Sequence, residues 1–218
     1  MDVRNCMAND IADVFRTFDT SVVSDALDEH GIDGVITGIE PADATWTAVG
    51  RVHPMRFEEA SDPGTETNFP FAMLRELAPG RVLFVAGAGS EVSHWGANAS
   101  RLAANAGANG VVVDGGFRDV PAVRNGPFPV FGRVPTPRTG QGRITVDGVD
   151  EPVEIDGIAV APDDVVIADA TGVVVVPSDE AAAVADTAES ILAEELLLER
   201  KIANGATVED LQGSGHSF

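Results

Sequence analysis

Three consecutive valines, Val111 to Val113, followed closely by a glycine pair, Gly115 and Gly116, limit what this chain can build. A β-branched run without polar alternation suits a strand buried on both faces of a sheet. The glycines are expected to break that strand. Asp119 then stands where a helix N-cap would, because Val120 and Pro121 suit a first turn in which a missing N–H costs nothing. Gly126 ends the short helix. Residues 110–131 therefore read as strand, glycine turn, short helix and strand, with Arg118 and Asp119 side by side at the carboxyl end of the first strand. Open α/β sheets bind ligands there.

The flanking segments fit an α/β chain. Ile11, Val14, Phe15 and Phe18 recur at helical spacing, and a second helix, capped by Thr20 or Ser21, runs through Ala26 and Leu27 to Gly31. Residues 34–57 are β-rich, and EEASDPGTETNF is polar enough to be a loop. FAMLREL reads as a short helix, RVLFVAGAG as a strand entering a glycine turn, and SHWGANASRLAANAGANG as an alanine-rich helix. Residues 135–180 read as short alternating strands separated by DG and PDD turns. A long helix over 179–204 follows, with Ser178 or Asp179 as cap and Gly205 as stop, and GSGHSF reads as a loose tail. No repeat period is present. One domain over 1–218 is expected, with its core at about 20–178.

Charge excludes several functions. The chain has 35 acidic and 14 basic residues, a net charge of −21, and Lys201 as its one lysine. That balance disfavours nucleic acid and anionic membrane as partners, and the acids are scattered, which fits a protein adapted to high salt. The apolar runs are too short to cross a bilayer, and no signal-peptide pattern is present. A cytoplasmic protein is expected. Cys6, the single cysteine, has no obvious activating neighbour in sequence.

Some patterns carry little. The GAG of residues 87–89 lacks the third dinucleotide-fingerprint glycine, since Val92 stands there. His30, His53, His94 and His216 lack metal-ligand spacing and read as surface or loop residues. Arg118 and Asp119 admit two readings, a capping aspartate beside a surface arginine, or a carboxylate that holds a hard cation beside a guanidinium that grips an oxo-acid.

GVVVDGGFRDV, with FPVFGRVPTP after it, HWGANASRLAANAGANG before it and DGIAVAPDDVVIADATGVVVVP beyond, resembles the RraA-like family. That family comprises class II 4-hydroxy-4-methyl-2-oxoglutarate/4-carboxy-4-hydroxy-2-oxoadipate aldolases and regulators of ribonuclease E. The resemblance implies a layered α/β sandwich of the swivelling β/β/α type, with a central sheet flanked by helices, assembled as a homotrimer or hexamer. It implies that Asp119 coordinates Mg²⁺ or Mn²⁺ largely through water, that Arg118 binds the 2-oxo-acid, and that the backbone of Gly96, Ala97, Asn98 and Ala99 holds the pyruvate carboxylate. The family often has Gly-Glu-Leu-Leu in that turn. It also draws an acidic residue from a neighbouring subunit, for which Glu194, Glu195 and Glu199 are candidates, and Asp25 matches an acidic position of unclear role.

Chemistry points the same way. A Schiff-base aldolase needs a desolvated lysine, whereas Lys201 lies near the end of an amphipathic helix beside Arg200. A metal-dependent lyase releasing pyruvate is expected, one that also suits oxaloacetate decarboxylation, because both reactions pass through the pyruvate enolate. The rivals are a non-catalytic ribonuclease regulator and a 2-oxo-acid binding protein.

Overall fold

The computed structural model describes residues 10–62, 71–75, 77–87, 89 and 91–212, so Cys6, Ala88, His216 and the final GSGHSF lie outside the described residues. Among these residues the strands are β1 (Val35–Ile36), β2 (Glu40–Pro41), β3 (Ala48–Glu59), β4 (Val82–Ala86), β5 (Ser93–Trp95), β6 (Gly110–Phe117), β7 (Val130–Pro135), β8 (Ile144–Val149), β9 (Val153–Ile155), β10 (Ile158–Val160), β11 (Val165–Ala168) and β12 (Val173–Val176). The α-helices are α1 (Ile11–Val14), α2 (Thr20–His30), α3 (Phe71–Leu74), α4 (Ala97–Asn105), α5 (Val120–Arg124), α6 (Ala181–Ala203) and α7 (Val208–Gln212).

The long strand β3 joins two differently built halves of one curled sheet. Its first residues, Ala48 to Arg51, pair antiparallel with β11, whereas Val52 to Arg56 pair in parallel with β4. The strand order is β1-β12-β11-β3-β4-β6-β7-β2, with β5 beside β6 and β8 beside β3. The run β3-β4-β6-β7 is parallel, so its carboxyl ends gather on one side. The β9–β10 hairpin forms a separate two-stranded sheet.

Strand composition follows from this layering. Val111 and Val113 pack into one core and Val112 into another, and Leu83 and Val85 are split in the same way from Val82 and Phe84. In the antiparallel half, Val174 and Val176 face a third core with α1, α2 and α6, while Val173 and Val175 face the sheet interior. Both faces of these strands are buried, which is why no polar residue interrupts them. Each fully buried valine contributes about 2 kcal/mol.

Several local expectations are corrected. Gly115 and Gly116 do not end β6, which continues to Phe117 with a register irregularity between Val113 and Gly116. Asp19, not Thr20 or Ser21, caps α2, with its Oδ1 accepting from Val22 N at 2.9 Å. Glu180 occupies the α6 N-cap position without a side-chain bond, because the Ser178 amide donates to Asp164 and Ser178 sits in the turn before the helix. Ser93 to Trp95 form a strand ahead of α4, not its first turn. Gly31 and Gly205 do follow their helices with left-handed φ values of 68° and 89°. The described part of the polar segment after β3, Ala60 to Asp62, is non-regular.

Candidate functional site

The site is built where β5 and β6 end side by side. The Arg118 amide donates to the Trp95 carbonyl at 3.0 Å, which ties the first charged residue after β6 to the end of β5. The Trp95 indole donates to Ser100 Oγ at 2.9 Å, anchoring the first turn of α4 to the same strand. Chain segments remote in sequence thus place Gly96 directly against Arg118 and Asp119.

Asp119 occupies the N-cap position of α5 with φ 61° and ψ 31°, a left-handed conformation that aspartate tolerates better than most residues. Its backbone carbonyl accepts from Ala122 and Val123, but its side chain makes no capping bond. Instead Oδ2 accepts from Ala97 N, the first residue of the neighbouring helix α4, at 3.2 Å. The simple capping reading of Asp119 is therefore corrected. The nearest Arg118–Asp119 approach is Nε to Oδ2 at 3.8 Å, beyond hydrogen-bond reach, and their side chains are 44% and 45% exposed. The two side chains form a loose, solvent-exposed ion pair.

Gly96 allows the Asp119 carboxylate to approach closely. A Cβ there would lie 2.9 Å from Asp119 Oδ2 and 3.2 Å from Arg118 Cγ. The first bond inside α4 runs from Ser100 N to Gly96 O, so the amides of Asn98 and Ala99 lie in the donor-rich first turn, where anions are favoured. Asn98, Ala99, Arg118 and Asp119 share a pocket of about 320 Å³ with Trp95 and Gln141. Arg118 and Asp119 also line a second pocket of about 360 Å³, with Phe117, Val120, Pro121, Pro135 and Pro137.

His94 also lines the first pocket and is 1% exposed. Cβ atoms at Gly87 and Gly115 would stand 2.9 Å and 2.6 Å from its ring nitrogens, so these glycines make room for the imidazole. Burial pushes its pKa down, against backbone hydrogen bonding with Gly116 and Val92 and the nearby Asp114 carboxylate. His53 is buried on β3, with Nε2 3.1 Å from the Met73 carbonyl. The surface-or-loop expectation therefore fails for His53 and His94, because both lie on strands covered by other elements. His30 is exposed and bonds Thr187 at 2.9 Å.

The remaining acidic candidates lie elsewhere in the chain. Glu194, Glu195 and Glu199 are exposed on α6 and Asp25 is exposed on α2. Partial burial, then Asp19, Asp25 and Glu199, push the Glu195 carboxyl pKa up. Asp25 lines a separate pocket of about 240 Å³ that shares no residue with the Arg118–Asp119 pockets. One copy of the chain does not bring these acids to the glycine turn.

Among the described residues no group of three or more His, Cys, Asp or Glu side chains could hold a metal. The donor set at the pocket is one carboxylate, Asp119, with one oxygen engaged by a single amide. That set suits a hard cation that keeps most of its waters, and not a closed protein cage. Sequence reasoning missed His94, Trp95, Thr139, Gln141 and Ile144 as pocket-lining residues. The glycines facing His94 were the available signal.

A family model described as Aldolase/RraA, RraA-like, matches residues 20–175. The chain belongs to this family. It is 27% identical over 188 residues to protein DlpA of Legionella pneumophila subsp. pneumophila, a match covering 86% of this chain and 31% of DlpA. A 4-hydroxy-4-methyl-2-oxoglutarate aldolase of Thermus thermophilus is 36% identical over 110 residues, covering 48% of this chain and 64% of that protein. The chain thus spans about a third of DlpA and just under two thirds of the aldolase. Streptomyces coelicolor RraAS2, described as an unusual member of the RNase ES inhibitor RraA family, superposes with a TM-score of 0.81 at 27% identity, covering 88% of this chain and 97% of RraAS2. The RraA-like fold is the layered α/β arrangement described above. Among the described residues no helix is long and apolar enough to cross a membrane.

Proposed function

We propose that this chain is a divalent-metal-dependent C–C lyase that releases pyruvate from 4-hydroxy-2-oxo-acids. The observation that carries the reading is the Asp119 carboxylate, held by one amide at 3.2 Å and opening on a pocket beside the exposed Arg118 guanidinium, 3.8 Å away. Mg²⁺ or Mn²⁺ held by Asp119 would supply Lewis-acid stabilisation to an oxo-acid whose cleavage leaves an enolate. Arg118 would meet the carboxylate and the oxygen that gains charge, using its planar fork. The Asn98 and Ala99 amides would orient the carboxylate at the first turn of α4. The aldolase name of the Thermus relative supports the same class.

Assembly as a homotrimer or hexamer belongs to this proposal. Leu196 and Leu197, on the outer part of α6, are 44% and 52% exposed, which suits a face covered by another copy. Glu194, Glu195, Glu199 or Asp25 would then reach a site only across that interface. The likeness to RraAS2 favours a second reading, a protein that binds a ribonuclease without chemistry. Pyruvate release from a panel of 4-hydroxy-2-oxo-acids, with Mg²⁺ and with chelator, separates the two. Metal-dependent release supports the lyase, and its absence across the panel favours the binding protein.

A further inference from the structure

Arginines gather at the first pocket. Arg118 lines it, Arg101 Nη1 donates to Asn98 Oδ1 of its lining at 3.0 Å, and Arg143 Nη1 donates to the Thr139 carbonyl at 3.1 Å. Arg138 stands between Pro137 of the second pocket and Thr139 of the first. The chain has 14 basic residues and a net charge of −21, yet these four arginines stand in or beside a lining whose one acid, among the described residues, is Asp119. An anion repelled by the bulk surface meets a local excess of positive charge here. The arginines divide between two segments. Arg101 belongs to α4, whose donor-rich first turn follows the last residue of β5. Residues 138–143 form a strap tied to the first residue of β5, since the Ser93 amide donates to the Arg138 carbonyl at 2.8 Å and Ser93 bridges Thr139. The strap is a fixed turn, because the Arg143 and Ile144 amides donate to the Gly140 carbonyl at 2.8 and 3.0 Å and Ile144 is buried. Both of its arginines are exposed.

We propose that Arg138 and Arg143 read a second carboxylate, at the far end of the substrate from the oxo-acid group that meets Arg118 and the Asn98 and Ala99 amides. This deepens the lyase reading and rests on it. The two ends of β5 lie ~7 Å apart at the usual rise of a strand, a span that suits a short oxo-acid with a carboxylate at each end. The Arg143 bond to Thr139 uses one of the five N–H donors that a guanidinium carries. Arg138 Nη1 approaches Glu91 Oε2 at 3.7 Å with side chains 58% and 90% exposed, a loose pair of small worth that a substrate carboxylate can replace. Charge-assisted bonds from guanidinium to carboxylate are the stronger class. The two strap arginines therefore determine specificity and leave the bond-breaking chemistry to Arg118 and Asp119.

Calorimetric titration in Mg²⁺ with 2-oxoglutarate and 2-oxopentanoate tests the strap without turnover, because the two share a carbon chain, differ in the second carboxylate and lack the 4-hydroxyl needed for cleavage. The parent should bind 2-oxoglutarate about tenfold tighter or more. Arg138→Gln combined with Arg143→Gln should cut that preference to about twofold or less while 2-oxopentanoate affinity stays within about threefold. Arg16→Gln, exposed beside Asp13 and outside both pockets, removes a charge elsewhere and should leave the preference intact. Equal binding of the two acids by the parent overturns the inference, as does failure of both to bind, a preference that survives the paired Gln variant, or one that Arg16→Gln abolishes equally. Pyruvate release from 4-hydroxy-2-oxoglutarate and 4-hydroxy-2-oxopentanoate tests the chemistry separately. Release that does not favour the dicarboxylate overturns the inference and keeps the lyase, whereas a strap-dependent binding preference without release from either compound overturns the lyase alone.

Discussion

Asp169 and Asp119 both follow the end of a strand, and their surroundings are opposite. Asp169, just past β11, accepts from Thr20 N at 2.9 Å, Thr20 Oγ1 at 2.8 Å and Thr171 N at 2.8 Å, joining the start of α2 to the β11–β12 turn. Burial opposes its ionisation, but hydrogen bonds from Thr20, Thr171 and Gly172 outweigh that and hold its carboxyl below the usual range. Asp119, just past β6, accepts from one amide and faces two pockets. A carboxylate with its acceptor sites filled by protein is fastening the fold. One with sites left over beside a cavity is available to a ligand.

The largest separation should appear in rate. Asp119→Asn and Arg118→Lys should each lower pyruvate release by ~10²-fold or more, as when a transition-state charge partner is removed, with excess Mg²⁺ restoring part of the first loss and none of the second. Parent rates in both variants would show the opposed charges to be structural.

Stability should separate the aspartates in the reverse order. Asp169→Ala leaves the Thr20 and Thr171 donors without their acceptor and should cost about 2 kcal/mol in chemical denaturation, whereas Asp119→Asn should stay within about 0.5 kcal/mol. Because the folded pKa of Asp169 is depressed, its contribution is complete above about pH 4 and is lost as pH falls through the folded value. Equal costs for both variants would erase the distinction.

Gly96→Ala tests whether the pocket depends on close approach. Its Cβ would lie 2.9 Å from Asp119 Oδ2, so turnover should fall by about tenfold while stability changes by less than about 1 kcal/mol, since the exposed carboxylate can move away. Unaltered turnover would mean that the Asp119 position is not critical.

The smallest effect concerns His94. Its folded pKa is lowered, so its stabilising contribution is complete above about pH 6.5 and is lost as pH falls through that value toward the lower folded one. His94→Gln should flatten the decline of Tm between about pH 7 and 5, and an unchanged slope would locate that decline elsewhere.

The comparison also explains what was legible before the structure. Val111 to Val113 and Val173 to Val176 announce strands buried on both faces because strand burial is written in consecutive side chains. Gly31 and Gly205 mark helix ends because a left-handed residue after a helix is a local requirement. The neighbouring Arg118 and Asp119 were visible for the same local reason. What Asp119 bonds was not, since Ala97 is 22 residues away and β5 and β6 must pair before the two meet. Gly115 and Gly116 read as breakers, yet β6 runs through them to Phe117, and a Cβ at Gly115 would meet the His94 ring, which only tertiary packing reveals. Asp19 displaced Thr20 as the α2 cap because Asp169 engages the Thr20 hydroxyl from 149 positions away.

The most direct test of the central claim is Mn²⁺ binding followed by electron paramagnetic resonance in the parent chain, Asp119→Asn and Asp169→Asn. The account predicts that the parent and Asp169→Asn bind Mn²⁺ and that Asp119→Asn weakens binding about tenfold or more, because Asp119, unlike Asp169, has acceptor sites left for a cation beside the pocket. Binding that survives Asp119→Asn unchanged would contradict it.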